Sequence, residues 1–186
     1  WHSNPIILNT KSQLLNQKCH LVSIIFVKTD NLFIINPWHN DWQWWFEFEN
    51  EFSKINLIFN HHEQASFFSV DGYARLSEKI GVCFATSGPG ITNLTTGILS
   101  AWQDSIPIVI VGGQCKLRET IQYSIIKNLR QYGTFEANSL DLLKPITKFS
   151  KRISDPNSIK YYLDKAFYIA NEARPGPVFL EIPLDI

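Results

Sequence analysis

Methionine is absent from the 186 residues, and the first residue is Trp1. A chain started in the ordinary way opens on Met, so a fragment, a processed chain or a cut domain is expected. The apolar text at the other end, Val178-Phe179-Leu180-Glu181-Ile182-Pro183, carries the expectation that more protein follows. Cysteine is scarce. Cys19, Cys83 and Cys115 are too few and too far apart for a disulfide framework or a zinc pattern, which favours a reducing, cytoplasmic setting. Net charge is lacking too: 17 Lys+Arg face 17 Asp+Glu, without the basic surplus of a nucleic-acid binder. No apolar run approaches the roughly 18 residues that cross a bilayer, and no secretory leader pattern opens the chain. No nucleic-acid and no membrane partner is expected.

What is present suffices for a packed core. Hydrophobic residues make up 45% and aromatics 13%, which excludes wholesale disorder. Residues 1–54 hold no glycine and are rich in Asn, Trp and Phe; Trp38, Trp42 and Trp45 fall at helical spacing and read as core or a subunit contact. From residue 55 the text alternates regularly. Strands are expected at 56–59, 81–85, 107–111 and 178–182, and helices at 62–77, 89–103 and from Asp155-Pro156 onward. Asp155 suits an N-cap and Pro156 a first helical position. Ile159, Tyr162, Leu163, Ala166, Phe167 and Ala170 then mark one helical face. Strands separated by helices of this length give an α/β fold, a doubly wound, mostly parallel sheet with helices on both faces. Residues 1–54 are read as a divergent part of the same domain and 55–186 as its core.

In such sheets ligands sit beyond the carboxyl ends of strands. Two turns there carry chemistry: Asn60-His61-His62-Glu63-Gln64 and Thr86-Ser87-Gly88-Pro89-Gly90. Glu63 opens a helix, where a carboxylate is favoured by the dipole whatever its function. Adjacent His61 and His62 do not face one another on a helix and lack zinc-helix spacing, so no metal ligand is assigned. The Gly-Pro-Gly turn lets backbone approach a ligand closely, but it lacks the lysine of a phosphate-binding loop. Either turn alone is weak; both on neighbouring crossovers are informative.

Taken in order, His62-Glu63-Gln64-Ala65, Asp71-Gly72-Tyr73-Ala74-Arg75, Thr86-Ser87-Gly88-Pro89-Gly90, Thr92-Asn93, Ala101-Trp102-Gln103-Asp104-Ser105-Ile106-Pro107, Gly113-Gln114 and Ala173-Arg174-Pro175-Gly176-Pro177-Val178 resemble the N-terminal, pyrimidine-binding domain of thiamine diphosphate enzymes. Leu129-Arg130-Gln131-Tyr132-Gly133 and Lys144-Pro145-Ile146-Thr147-Lys148 point to the acetolactate synthase-like branch. The resemblance implies a carboligase or decarboxylase acting on a 2-keto acid. Glu63 inherits the catalytic role: it hydrogen-bonds the cofactor's aminopyrimidine and favours its imino tautomer. Ser87, Gly88, Pro89, Gly90 and Asn93 are the implied cofactor-binding residues with Glu63. His62, Gln64, Gln114 and Phe135 are implied to face substrate or support the site.

The resemblance also implies what lies elsewhere. The family holds the diphosphate and its Mg2+ on a separate domain with a Gly-Asp-Gly…Asn-Asn signature, absent here. The implied partners are that domain, in the same or a second chain, and a second copy of the protein in a homodimer or tetramer. FAD is left open for the full enzyme. Three departures stand out. Asn36-Pro37-Trp38-His39-Asn40-Asp41 replaces a glycine-rich turn, Phe67 and Phe68 replace small residues expected at a dimer contact, and Phe135 replaces a Gln near the reacting centre. A free-standing subunit and a non-catalytic interaction module remain the alternatives.

Overall fold

The computed structural model of the chain describes residues 32–35 and 56–186. The tryptophan stripe, the Asn36–Asp41 stretch and Cys19 lie outside the described residues. Six strands form one sheet: β1 (Leu32–Ile35), β2 (Asn56–Phe59), β3 (Gly81–Ala85), β4 (Ile108–Gln114), β5 (Phe149–Arg152) and β6 (Val178–Pro183). Their order is β2-β1-β3-β4-β6-β5, and every pairing is parallel. β1 comes from the segment before residue 55, yet it pairs on both sides, with β2 and β3.

Alternation along the inner strands sends apolar side chains to both faces. Val82, Val109, Val111, Val178 and Leu180 meet helix α5 (Ile159–Asn171) through its Leu163, Ala166, Phe167 and Ala170. Cys83, Ala85, Ile108, Ile110 and Phe179 meet the opposite layer. That layer holds α1 (Glu63–Ser77), α2 (Pro89–Asn93), α3 (Thr95–Asp104) and α4 (Ser139–Leu143). Each fully buried Leu, Ile or Phe contributes roughly 1.5–3 kcal/mol. The doubly wound fold follows from that period-two pattern.

Local chemistry sets the ends of these helices. The Asp155 carboxylate accepts from the Asn157 N–H at 3.0 Å, and Pro156 begins a single 3-10 turn (Pro156–Ser158) that leads into α5. At the other end Lys148 Nζ donates to the carbonyls of Ile169 and Glu172, capping orphan acceptors. In α1, Phe67 is fully buried and lies where a Cβ on Gly97 would come within 2.3 Å of its Cδ1. Phe67 thus belongs to the domain's own core, whereas Phe68 is exposed. Phe67, one of the two rings expected near a dimer contact, is thus packed inside the domain itself.

Besides β1, α4 and the short 3-10 turns, which the expected elements did not include, three elements differ from the expectation. The helix expected over 89–103 is broken at Leu94, whose N–H donates to Ile91 three residues back, a tighter turn than an α-helix makes. β4 runs on through Gly112 and Gly113 instead of stopping at Val111. Gly112 keeps the strand's register because a Cβ there would lie 2.7 Å from Phe179 and 2.8 Å from Ile91. β5 is an additional edge strand. Among the described residues no helix is long and apolar enough to cross a membrane.

Candidate functional site

β2 and β3 flank β1, and the chain reverses its direction of travel across the sheet there. The topological switch point lies between β1 and β3, and the turns that follow β2 and β3 come together beside it at the carboxyl ends of the strands, where open α/β sheets bind ligands. The β2 turn is shaped by His62. Its Nδ1 accepts the Gln64 N–H at 3.2 Å, capping α1 and placing Glu63 as the first helical residue. Glu63 is 6% exposed, although it is a carboxylate. The positive end of α1 and one hydrogen bond offset that burial: Asn93 Nδ2 donates to Glu63 Oε2 at 3.0 Å.

Asn93 reaches Glu63 because the β3 turn folds tightly into α2. Gly88 has φ 61° and ψ −121°, a conformation open in practice to glycine alone, and Pro89 starts the helix. The Gly88 carbonyl accepts the Thr92 N–H at 3.1 Å, and the Ser87 carbonyl accepts the Gly90 N–H at 3.3 Å. A Cβ on Gly90 would sit 2.7 Å from Thr86 Cγ2 and 3.5 Å from Glu63 Oε1. Glycine is required there because the Thr86 methyl already fills the space a side chain would need.

These turns enclose a cavity of about 270 Å³. His61, His62 and Glu63 line it from the β2 turn, and Thr86, Ser87, Pro89, Gly90 and Asn93 from the β3 turn. Phe135 closes it from a third segment, with its backbone in the left-handed region at φ 56°. Its carbonyl lies 2.5 Å from where a Cβ on Gly88 would be, so the two segments touch at a point that tolerates no side chain.

Seven of the ten candidate residues thus share one cavity, and Gly88 supports it from behind. Gln64 and Gln114 are not among its lining. Gln114 is buried at the end of β4, where its Nε2 donates to the Ala137 carbonyl at 2.9 Å and to Glu181 Oε1 at 3.1 Å. Glu181 is fully buried and also accepts from Arg152 Nε. Burial raises its pKa above the usual carboxylate range, while Arg152 acts against that rise. Gln114 thereby ties the Ala137 segment to the sheet. His61 and Thr86 are lining residues that the sequence assigned no role, although each adjoins an assigned one.

Burial pushes the Cys83 thiol up strongly, and the Glu63 charge adds to that rise. Cys115 is raised to about 11, first by burial and then by Glu136 and Glu119. Among the described residues no group of three or more His, Cys, Asp or Glu side chains could hold a metal ion.

Residues 35–134 match the family described as "Thiamine pyrophosphate enzyme, N-terminal TPP binding domain". The chain is 42% identical over 132 residues to a Haemophilus influenzae acetolactate synthase large subunit, covering 70% of this chain and 21% of that protein. It is 41% identical over 133 residues to the Buchnera aphidicola subsp. Schizaphis graminum acetolactate synthase large subunit (71% and 22% covered). It is 39% identical over 136 residues to the Porphyra purpurea acetolactate synthase large subunit (73% and 22% covered). The chain thus matches about a fifth of the length of these relatives.

Proposed function

The chain belongs to the thiamine pyrophosphate enzymes, as their N-terminal TPP binding domain, and on that premise we propose that it supplies the pyrimidine half of the active site in an acetolactate synthase-like carboligase or decarboxylase of 2-keto acids. The observation that carries this reading is the buried Glu63 carboxylate, oriented by Asn93 at the edge of a cavity.

The residues fit an aminopyrimidine. The cavity walls are compact or apolar at Pro89, Gly90 and Phe135, and a carboxylate stands at one side as acceptor and proton holder. When bound, thiamine diphosphate supplies an acidic thiazolium carbon and an electron sink. The chain's part is to bind, orient and shuttle a proton. Glu63 would hold or release a proton toward the bound ring, Asn93 Nδ2 fixes Glu63 Oε2, and the Phe135 side chain borders the cavity.

Among the described residues the lining includes no Lys or Arg. This supports placing the diphosphate and Mg2+ on another domain, contributed by the rest of the protein or by a second copy in a dimer or tetramer. The free thiols Cys83 and Cys115 fit a cytoplasmic setting. Residues 1–54 are read as part of this domain, which the place of β1 inside the sheet supports.

The test is Glu63→Gln in the full-length protein with its diphosphate-binding domain. Exchange of the thiazolium proton, followed by deuterium uptake into bound thiamine diphosphate, is expected to slow by orders of magnitude with circular dichroism unchanged. Wild-type exchange in that variant would return Glu63 to a capping role.

A further inference from the structure

Phe135 closes the cavity from a segment with almost no apolar anchorage. Between Ile121 and Asn138 only Gly133 is buried; Ile121, Tyr123, Ile125, Ile126 and Tyr132 are exposed. Two short 3-10 turns, Leu117–Glu119 and Ile121–Tyr123, are the regular structure at its start. Phe135 itself is exposed and stands in a left-handed conformation against Gly88, and hydrogen bonds of the next residue fix the backbone there.

Glu136 Oε1 accepts the Ile121 N–H at 2.6 Å, while Oε2 accepts the Tyr132 N–H at 2.9 Å and the Gly133 N–H at 3.2 Å. One carboxylate thus clasps both ends of the 121–133 excursion. The Glu136 N–H also donates to the Gly133 carbonyl at 3.2 Å, closing the turn that contains Phe135. On the far side the Ala137 carbonyl is held by Gln114. Phe135 thus sits in a turn held through Glu136 and Ala137, and the bonds to the Glu136 carboxylate, a charged group, are stronger than neutral ones.

We propose that Glu136 is a positioning residue of this site: by gathering backbone N–H groups from both ends of the 121–133 loop, it fixes Phe135 as the apolar wall of the Glu63 cavity and so sets affinity for thiamine diphosphate. The proposal rests on the function proposed above. Glutamine at this position cannot replace it, because an amide keeps one acceptor oxygen and turns an N–H group toward the N–H it should accept. Aspartate keeps the charge but reaches one methylene less far.

The test uses the full-length protein with Mg2+ and thiamine diphosphate, comparing wild type, Glu136→Gln, Glu136→Asp, Phe135→Ala and the Glu136→Gln/Phe135→Ala double variant. Amide exchange should speed at least tenfold at Ile121, Tyr132 and Gly133 in Glu136→Gln, and less in Glu136→Asp. By calorimetry, cofactor affinity should weaken about tenfold in Glu136→Gln, about tenfold in Phe135→Ala, and no further in the double variant, because both remove the same wall. Loosened amides with unchanged affinity would overturn the proposal, as would a double variant weakened a hundredfold. A wild-type protein that binds no thiamine diphosphate would overturn the functional reading itself, an outcome distinct from either.

Discussion

Asn93 and Glu63 lie thirty residues apart in sequence, on two helices that start from neighbouring turns, and a single 3.0 Å hydrogen bond joins them. The bond engages Oε2 alone. Among the described residues the carboxylate is therefore held at one oxygen, with the other 3.5 Å from where a Cβ on Gly90 would be.

Replacing Asn93 by Ala should weaken this arrangement without unfolding the domain. A hydrogen bond to a charged group contributes about 1.5–3 kcal/mol. The expected loss in cofactor-dependent turnover of the full-length enzyme is therefore roughly 10–100-fold. Asn93→Asp should be worse, since it sets a second carboxylate against Glu63. Steady-state kinetics on both variants provides the check; equal activity in Ala and Asp variants would contradict it.

Gly97→Ala is expected to destabilise by about 1–3 kcal/mol through overpacking, because its methyl would come 2.3 Å from the Phe67 ring. Phe67→Leu in the same molecule should restore part of the loss. Urea unfolding of the single and double variants measures this. A Gly97→Ala protein as stable as wild type would mean that the α1–α3 contact is looser than found.

Cys115, with its pKa raised to about 11, should carry a thiolate fraction near 0.1% at pH 8, far below that of a free cysteine with pKa about 8.5. Iodoacetamide labelling of the native protein, located by peptide mass spectrometry, should be slow at Cys115 and at buried Cys83, and fast at both after unfolding. Native labelling at the unfolded rate would refute the burial argument.

Glu181 gives a pH signature. Its pKa is raised by burial in the folded state, so the native protein binds more protons than the unfolded chain between the two values. Its contribution to stability is then present below the unfolded pKa and is lost as pH rises through the folded one. Glu181→Gln removes that slope. Unfolding midpoints measured from pH 4 to pH 8 should show the stability of wild type relative to the variant declining as pH rises. A relative stability that increases with pH would show that the Arg152 pairing outweighs desolvation.

Three of the strands that sequence reveals are interior ones, whereas β2 lies at an edge and is read from its Leu-Ile-Phe run alone. Residues 81–85 and 178–182 are apolar runs because helices cover both faces. β5 escapes notice because Phe-Ser-Lys-Arg lies at an edge, with all four residues partly exposed, and carries no such run. Gly112 and Gly113 mark a turn in most contexts, and only the approach of Phe179 and Ile91 makes glycine the strand residue required. In the cavity, the two turns were legible because each lies next to its strand. The contribution of Phe135 could be read from the family likeness alone, since its place depends on a carboxylate hub with no sequence signature. Gln114 was assigned to the site by its motif, whereas its hydrogen bonds tie it to Glu181 and Ala137.

The order of the sheet bears on biosynthesis. β6 is the last strand in sequence but an interior one in space, seated between β4 and β5. Until Val178–Pro183 has left the ribosome, β5 lacks its partner and β4 shows a bare edge beside Val109 and Val111. Unpaired edges of this kind recruit other chains. The nascent domain therefore carries an adhesive seam until residue 178 emerges, and slowing translation just before that point should increase its demand for chaperones.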